Sequence, residues 1–123
     1  MPFSKSLQDE IHQLHAHLCG GLADPIRIMI LYTLEDGPHT VSEIVDVLEL
    51  PQPTISRHLK VLRDTGLVLS RRDGQYVHYH LKDTRVIEAL NLLRGILAAN
   101  MQERARLLNG TIINLDETGD ETA

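Results

Sequence analysis

The chain has 123 residues, of which 42% are hydrophobic, and this length allows one domain with a sizeable core. Cys19 is the single cysteine, so an internal disulfide is excluded. The sequence does not start with a signal-peptide pattern, and no stretch approaches the roughly 20 apolar residues that span a bilayer. We therefore expect a soluble cytoplasmic protein with no membrane partner.

The net charge of −5 is unevenly divided along the chain. Residues 1–51 carry −6, residues 52–82 carry +4, and residues 83–123 carry −3. Phosphate binding depends on the local field of the contacting surface, so overall acidity does not exclude a nucleic-acid partner. The basic segment is the candidate for such a surface.

Apolar spacing predicts two helices in the first third of the chain. The first covers residues 5–18, and Gly20-Gly21 is expected to end it. Its apolar stripe consists of Leu7, Ile11, Leu14 and Leu18. Asp24-Pro25 starts the second helix with a capping carboxylate and a proline at the first helical position. This helix is apolar on nearly every side, which favours a central buried position.

A short third helix, capped by Thr40 or Ser42, is predicted before a break at Leu50-Pro51. The fourth helix covers residues 52–65. Two strands, residues 67–71 and 76–81, follow it, and Asp73-Gly74 between them is typical of a tight hairpin turn. In the second strand, the odd-numbered face is assigned to the core.

A long final helix is expected from Asp83 to about Leu108. Its apolar surface is wider than one small domain can cover, which indicates an interface. The main stripe contains Val86, Leu90, Leu93, Leu97 and Met101. We expect one domain over residues 1–109, followed by an acidic tail over residues 110–123 that is disordered.

The order helix, helix, short helix, break, helix, hairpin predicts a mainly α fold with a small β-hairpin wing, a winged helix-turn-helix. The fourth helix directs Ile55, Leu59 and Leu62 to the core. Its other sides carry groups that hydrogen-bond base edges or neutralise phosphate. Together with the hairpin tip, the candidate DNA-binding residues are Gln52, Thr54, Ser56, Arg57, Lys60, Arg71, Arg72 and Gln75. The alternative is an ordinary solvated helix face.

Four segments resemble the ArsR/SmtB repressors over about residues 18–108. They are Leu22-Ala23-Asp24-Pro25-Ile26-Arg27, the run from Gln52 to Arg63, Gly66-Leu67-Val68, and the wing from Arg71 to Leu81. The resemblance implies a homodimer that binds an inverted-repeat operator in double-stranded DNA and releases it when an inducer binds. By matching position it implies DNA contacts at Gln52, Thr54, Ser56, Arg57 and His58.

The resemblance also implies that the dimer forms through the first and last helices. The residues expected at this interface are Leu7, Ile11, Leu14, Leu18, Leu90, Leu93, Leu97 and Met101. Two metal sites known in the family lack their ligands here. The stretch from Pro38 to Glu43 contains no thiolate, and on the last helix only Asp83 matches, with Arg85, Ile96 and Ala99 in the other places.

One other cluster could bind a divalent metal. His12, His15 and Cys19 recur at i, i+3 and i+7 on the first helix, and two imidazoles with a thiolate suit zinc. The alternative is two half-exposed histidines and a small packed cysteine, and the inducer and any cofactor stay unknown. No cofactor is expected to be required for DNA binding itself.

Other residues and features allow functions that compete with DNA binding. Cys19 could respond to oxidants, although redox members of the family generally use a cysteine pair, and His78 and His80 could pair with a ligand. A winged helix could also serve as a protein-interaction module without DNA, which the basic segment argues against. No arrangement typical of an enzyme stands out.

Overall fold

The computed structural model describes the backbone of residues 3–118 and the side chains of residues 3–110. The chain divides into two units between Ile87 and Glu88. In the described residues the α-helices are α1 Lys5–Gln13, α2 Gly20–Leu22, α3 Pro25–Thr33, α4 Val41–Leu48, α5 Gln52–Asp64 and α6 Arg85–Thr118, and the strands are β1 Val68–Asp73 and β2 Tyr76–Leu81. This is the mainly α fold with a β-hairpin that the sequence predicts.

The first helix is longer than predicted and changes type along its length. Ser4 caps α1 by accepting a hydrogen bond from the backbone N–H of Leu7 at 3.1 Å. A π-helical segment, Leu14–Cys19, follows α1, and the chain then continues through α2 without a break. The prediction that Gly20-Gly21 ends the helix was therefore wrong. We call residues 5–22 the N-terminal helix.

Helix α3 buries Ile30 and Leu31, but Met29 is 44% exposed and most of its other residues are half-buried, so the helix is less buried than the sequence predicts. Asp24 Oδ1 accepts hydrogen bonds from the backbone N–H groups of Ile26 (2.8 Å) and Arg27 (3.4 Å), as the Asp-Pro signal predicts. Desolvation acts to raise the pKa of Asp24, but these backbone hydrogen bonds outweigh it, so the pKa is lowered. The core is entirely aliphatic at its centre, and its fully buried members are Ile30, Leu31, Leu34, Ile44, Ile55, Leu59, Leu62 and Val68.

The helix-turn-helix consists of α4 and α5. Thr40 and Glu43 form a reciprocal capping box at the start of α4: Thr40 Oγ1 accepts from Glu43 N (3.2 Å), and Glu43 Oε1 accepts from Thr40 N (2.8 Å). Glu49 ends α4 with a left-handed backbone, φ 56°. The chain then turns through Leu50 and Pro51 into α5.

The hairpin is antiparallel, with Val68 paired to Leu81 and Asp73 paired to Tyr76. Gly74 lies in the turn at φ 66°, the conformation that favours glycine over residues with a side chain. The first strand extends two residues further than predicted, to Asp73. From Val77 to Leu81 the residues of both faces are half-buried, so β2 does not divide into a core face and a solvent face.

Backbone hydrogen bonds join the hairpin to the start of α4. His39 N donates to Tyr79 O at 2.9 Å, and Tyr79 N donates to His39 O at 2.8 Å. The imidazole of His39 lies between two carboxylates, with its Nε2 3.1 Å from Asp36 Oδ1 and its Nδ1 3.7 Å from Glu43 Oε1. The hydrogen bond with His39 lowers the pKa of Asp36.

The last helix, α6, begins where Asp83 Oδ1 accepts a hydrogen bond from Arg85 N at 2.9 Å, in agreement with the predicted cap. It runs to Thr118, past residue 109, where the sequence places the end of the domain. Residues 119–123 of the predicted acidic tail lie outside the described residues. Among the described helices, none combines the length and the apolar character needed to cross a membrane.

Candidate nucleic-acid interface

Helix α5 is anchored by one apolar face. Ile55, Leu59 and Leu62 are at most 1% exposed, as their spacing in the sequence predicts. The residues on the opposite side are exposed: Gln52, Arg57 and Lys60. The helix therefore presents a basic, hydrogen-bonding face outward while its position is fixed by the core.

The polar side chains on α5 differ in the hydrogen bonds and ion pairs that they already make within the chain. Gln52 Nε2 donates to Ser56 Oγ at 2.6 Å, which holds two candidate contacts together on the first turns of the helix. Thr54 is half-buried beside them. The ammonium of Lys60 lies 2.9 Å from Asp64 Oδ2, so its charge is partly neutralised within the helix.

Arg57 differs from Lys60 in its side-chain partners. Within the part of the chain that the structure describes, its guanidinium makes no ion pair and no hydrogen bond. A guanidinium is always charged and offers five donors in a planar fork, which suits a phosphate or a guanine edge. Arg57 is thus the side chain on this helix that is most available to an external anion.

The hairpin carries the remaining candidates. Arg71 and Arg72 lie near the end of β1, Gln75 lies in the turn, and all three are exposed. Neither arginine forms an ion pair with a carboxylate among the described residues. The hairpin tip is therefore a second basic surface, separate in sequence from α5.

His58 does not belong to this surface, and its assignment as a DNA contact needs correction. It is 8% exposed, and its Nδ1 lies 3.2 Å from Nη1 of Arg27, a residue of α3. The side chain is therefore largely covered and already engaged with α3 in the single chain. No local pattern in the sequence indicates this contact of Arg27, because its partner is 31 residues away.

The proposed metal cluster of His12, His15 and Cys19 is also not formed. Among the described residues, no three side chains of His, Cys, Asp or Glu come close enough to hold a metal ion. The i, i+3, i+7 spacing assumes an α-helix, but His15 and Cys19 lie in the π-helical segment, whose wider i→i+5 turn changes their angular relation to His12. Cys19 is exposed in the single chain rather than packed as a small hydrophobic residue.

The apolar residues expected at a dimer interface lie largely on the surface. The stripe of the N-terminal helix is 38–47% exposed at Leu7, Ile11, Leu14 and Leu18. On α6, Leu93, Leu97 and Met101 are 57–60% exposed. Leu90 is an exception, because it is 4% exposed and already buried within the single chain. We therefore remove Leu90 from the candidate interface.

Comparison with known proteins agrees with this geometry. Residues 24–70, which contain α3, α4 and α5, match the family described as "Bacterial regulatory protein, arsR family". An uncharacterized HTH-type transcriptional regulator of Methanocaldococcus jannaschii is 40% identical over 85 residues, which are 68% of this chain and 96% of that protein.

Two further relatives extend the comparison. The HTH-type transcriptional repressor SmtB of Mycobacterium tuberculosis is 42% identical over 74 residues. These residues are 60% of this chain and 55% of that protein, so the chain spans about half the length of this relative. The homodimeric winged helix-turn-helix DNA-binding domain of Mb0332 from Mycobacterium bovis superposes with a TM-score of 0.70 at 25% identity, covering 82% of this chain and 93% of that domain. The chain belongs to the ArsR/SmtB family of winged helix-turn-helix transcriptional regulators.

Proposed function

We propose that this protein is a repressor that binds an inverted-repeat DNA operator as a homodimer. The observation that carries the proposal is the outer face of α5, where Arg57 is exposed and unpaired among the described residues while the opposite face is buried. A helix fixed in this way can lie in a major groove, which is wide enough to admit it. Residues 52–82, with a charge of +4, supply the attraction to phosphate.

The individual contacts follow from this placement. Gln52, Thr54, Ser56 and Arg57 lie on the first two turns of α5, where a recognition helix meets base edges. Lys60 lies one turn further on and contacts the DNA backbone after exchanging Asp64 for phosphate. Arg71, Arg72 and Gln75 reach the flanking backbone or minor groove from the hairpin tip.

The homodimer is proposed from exposed apolar surface. Single exposed leucines are common on protein surfaces, but contiguous apolar stripes mark interaction sites. The N-terminal helix and α6 each carry such a stripe. Two copies of α5 related by a two-fold axis then match two half-sites of an inverted repeat, so the symmetry of the operator mirrors that of the protein. A cytoplasmic location is proposed because operator DNA is there.

To test this function, the wild-type protein first selects a duplex from a random library. The affinities of the wild-type protein and of two variants for that duplex are then measured. Arg57→Ala is expected to weaken binding more than tenfold at physiological salt, because a bidentate base contact contributes about 1–3 kcal/mol. Arg106→Ala removes the same charge from the exposed surface of α6, on the side away from Leu97 and Met101, and serves as the matched control.

The outcomes separate the alternatives. Loss of affinity in the α5 variant but not in the α6 variant, with the dimer intact, supports the repressor. If the selection enriches no duplex, or if wild-type affinity does not depend on salt, the protein is an interaction module rather than a DNA-binding regulator.

A further inference from the structure

Among the described residues, the N-terminal helix becomes buried only at its carboxyl end. Residues 3–20 are all exposed, and burial begins at Gly21. There the guanidinium of Arg27, from α3, donates to two backbone carbonyls, through Nε to Gly21 O at 2.8 Å and through Nη2 to Gly20 O at 3.2 Å. Arg27 therefore holds the carboxyl end of the N-terminal helix.

The same guanidinium also reaches α5. Its Nη1 lies 3.2 Å from Nδ1 of His58. Because arginine has donors but no acceptor, Nδ1 must accept this hydrogen bond, and the proton of the neutral ring is then on Nε2. Asp24, at the start of α3, accepts a hydrogen bond from the backbone N–H of Arg27 at 3.4 Å and so helps to fix the position of this residue. One arginine thus connects the end of the N-terminal helix to the middle of α5.

A second contact joins the same two elements. A Cβ placed on Gly21 would lie 2.7 Å from Leu67 Cδ1 and 2.8 Å from Thr65 Oγ1, so the backbone of Gly21 is directly against the end of α5. Thr65 is held in place by its own hydroxyl, which donates to Val61 O (2.9 Å) and Leu62 O (3.2 Å). Both contacts meet the N-terminal helix at Gly20 and Gly21 and lie about two helical turns apart along α5, so together they restrict the orientation of the helix end more than one contact would.

We propose that Arg27 is a positioning residue for DNA binding, which sets the angle between the N-terminal helix and α5 through Gly20, Gly21 and His58. This inference rests on the proposed function. Because the N-terminal helix carries part of the proposed dimer interface, its angle to α5 determines how far apart and in what orientation the two copies of α5 stand. That geometry sets the half-site spacing that the dimer accepts.

The test compares duplexes that differ only in half-site spacing. A selected duplex is paired with one lengthened by one base pair at its centre, which moves and rotates one half-site relative to the other. Wild-type protein is expected to prefer the selected duplex by about tenfold or more. Arg27→Met, which keeps much of the side-chain volume and removes the three nitrogens that make these contacts, is expected to reduce this preference to below about threefold.

Two variants at position 58 provide the matched pair. His58→Asn places an acceptor oxygen close to the position of Nδ1 and is expected to retain the spacing preference. His58→Leu fills the space without an acceptor and is expected to lose it. A purely structural role would lower the affinity for both duplexes together and would leave their ratio unchanged.

The inference is overturned if Arg27→Met is folded and dimeric yet discriminates the two duplexes as the wild type does. If Arg27→Met does not fold, the two position-58 variants decide, and equal spacing preferences in His58→Asn and His58→Leu overturn it. Nitrogen NMR of the wild-type imidazole is a direct check, and a proton on Nδ1 of His58 would contradict the hydrogen bond. Failure of the wild type to bind any duplex instead overturns the proposed function.

Discussion

Replacing Gly21 by alanine tests whether the N-terminal helix is packed as closely against α5 as the structure indicates. The new methyl carbon would lie 2.7 Å from Leu67 Cδ1 and 2.8 Å from Thr65 Oγ1, both too close for non-bonded atoms. Leu67 is 6% exposed and Thr65 is held by two hydrogen bonds, so neither moves freely. Overpacking of this kind costs about 1–3 kcal/mol.

Gly20 provides a matched control one residue away. Its backbone is helical, φ −59° and ψ −42°, and a Cβ there would meet only the carbonyl oxygen of His15 at 3.7 Å, an ordinary contact. Alanine is favoured over glycine in a helix by roughly 0.5–1 kcal/mol, and both variants gain this term. The difference between the two variants therefore isolates the overlap, and we expect Gly21→Ala to be less stable than Gly20→Ala by about 1–3 kcal/mol.

Urea denaturation at one fixed protein concentration measures this difference, because the stability of a dimer depends on concentration. The midpoints are expected to differ by roughly 1 M with similar slopes. Thr65→Ala, which removes one of the overlapping atoms, is expected to cost less in the Gly21→Ala background than alone. Equal stability of the two glycine variants would refute the close packing of α2 on α5.

Two further predictions concern the surface. Leu93→Glu is expected to convert the dimer to a monomer in sedimentation experiments, because it places a charge on a side chain that is 57% exposed in the single chain and proposed to be buried between copies. Val47→Glu, at a residue that is 59% exposed on α4, is the control and should leave the dimer intact. If both variants still form dimers, the proposed interface is contradicted. Asp83 should titrate at about 2 by carbon NMR instead of 3.8, because the Arg85 side chain, followed by its backbone N–H, lowers its pKa. Since this folded-state pKa is below the unfolded one, its contribution to stability is present above about pH 4 and is lost as the pH falls towards 2, and Arg85→Ala should move the titration part of the way back. A wild-type titration near 3.8 would show that the pair does not form.

The elements that the sequence predicts well are those whose signals are local. Asp24 caps α3 through residues two and three positions away, and Thr40 and Glu43 satisfy each other within one turn. The hairpin likewise depends on Gly74, which adopts positive φ in the turn itself. Such signals are complete within a few residues and need no knowledge of tertiary structure. The individual DNA contacts stay predictions.

The features that sequence analysis missed depend on distant partners. His58 fits the family pattern of DNA contacts by position, yet its hydrogen bond to Arg27 spans 31 residues and has no periodic signature. Gly20-Gly21 was interpreted as a helix end, since glycine is common there. In the structure, Gly21 fits for a different reason: any side chain at this position would overlap Thr65 and Leu67, where the N-terminal helix packs against the end of α5.

The exposed segment from Phe3 to Gly20 has a consequence for the amount of folded protein in a cell. A helix of this length is marginal on its own in water, and within the single chain these residues remain at the surface. In the proposed dimer a second copy would supply apolar contacts to this segment, and its helicity is then expected to rise with protein concentration. Scarce copies of the regulator are then expected to carry a frayed amino terminus, which limited proteolysis at low and high protein concentration would detect.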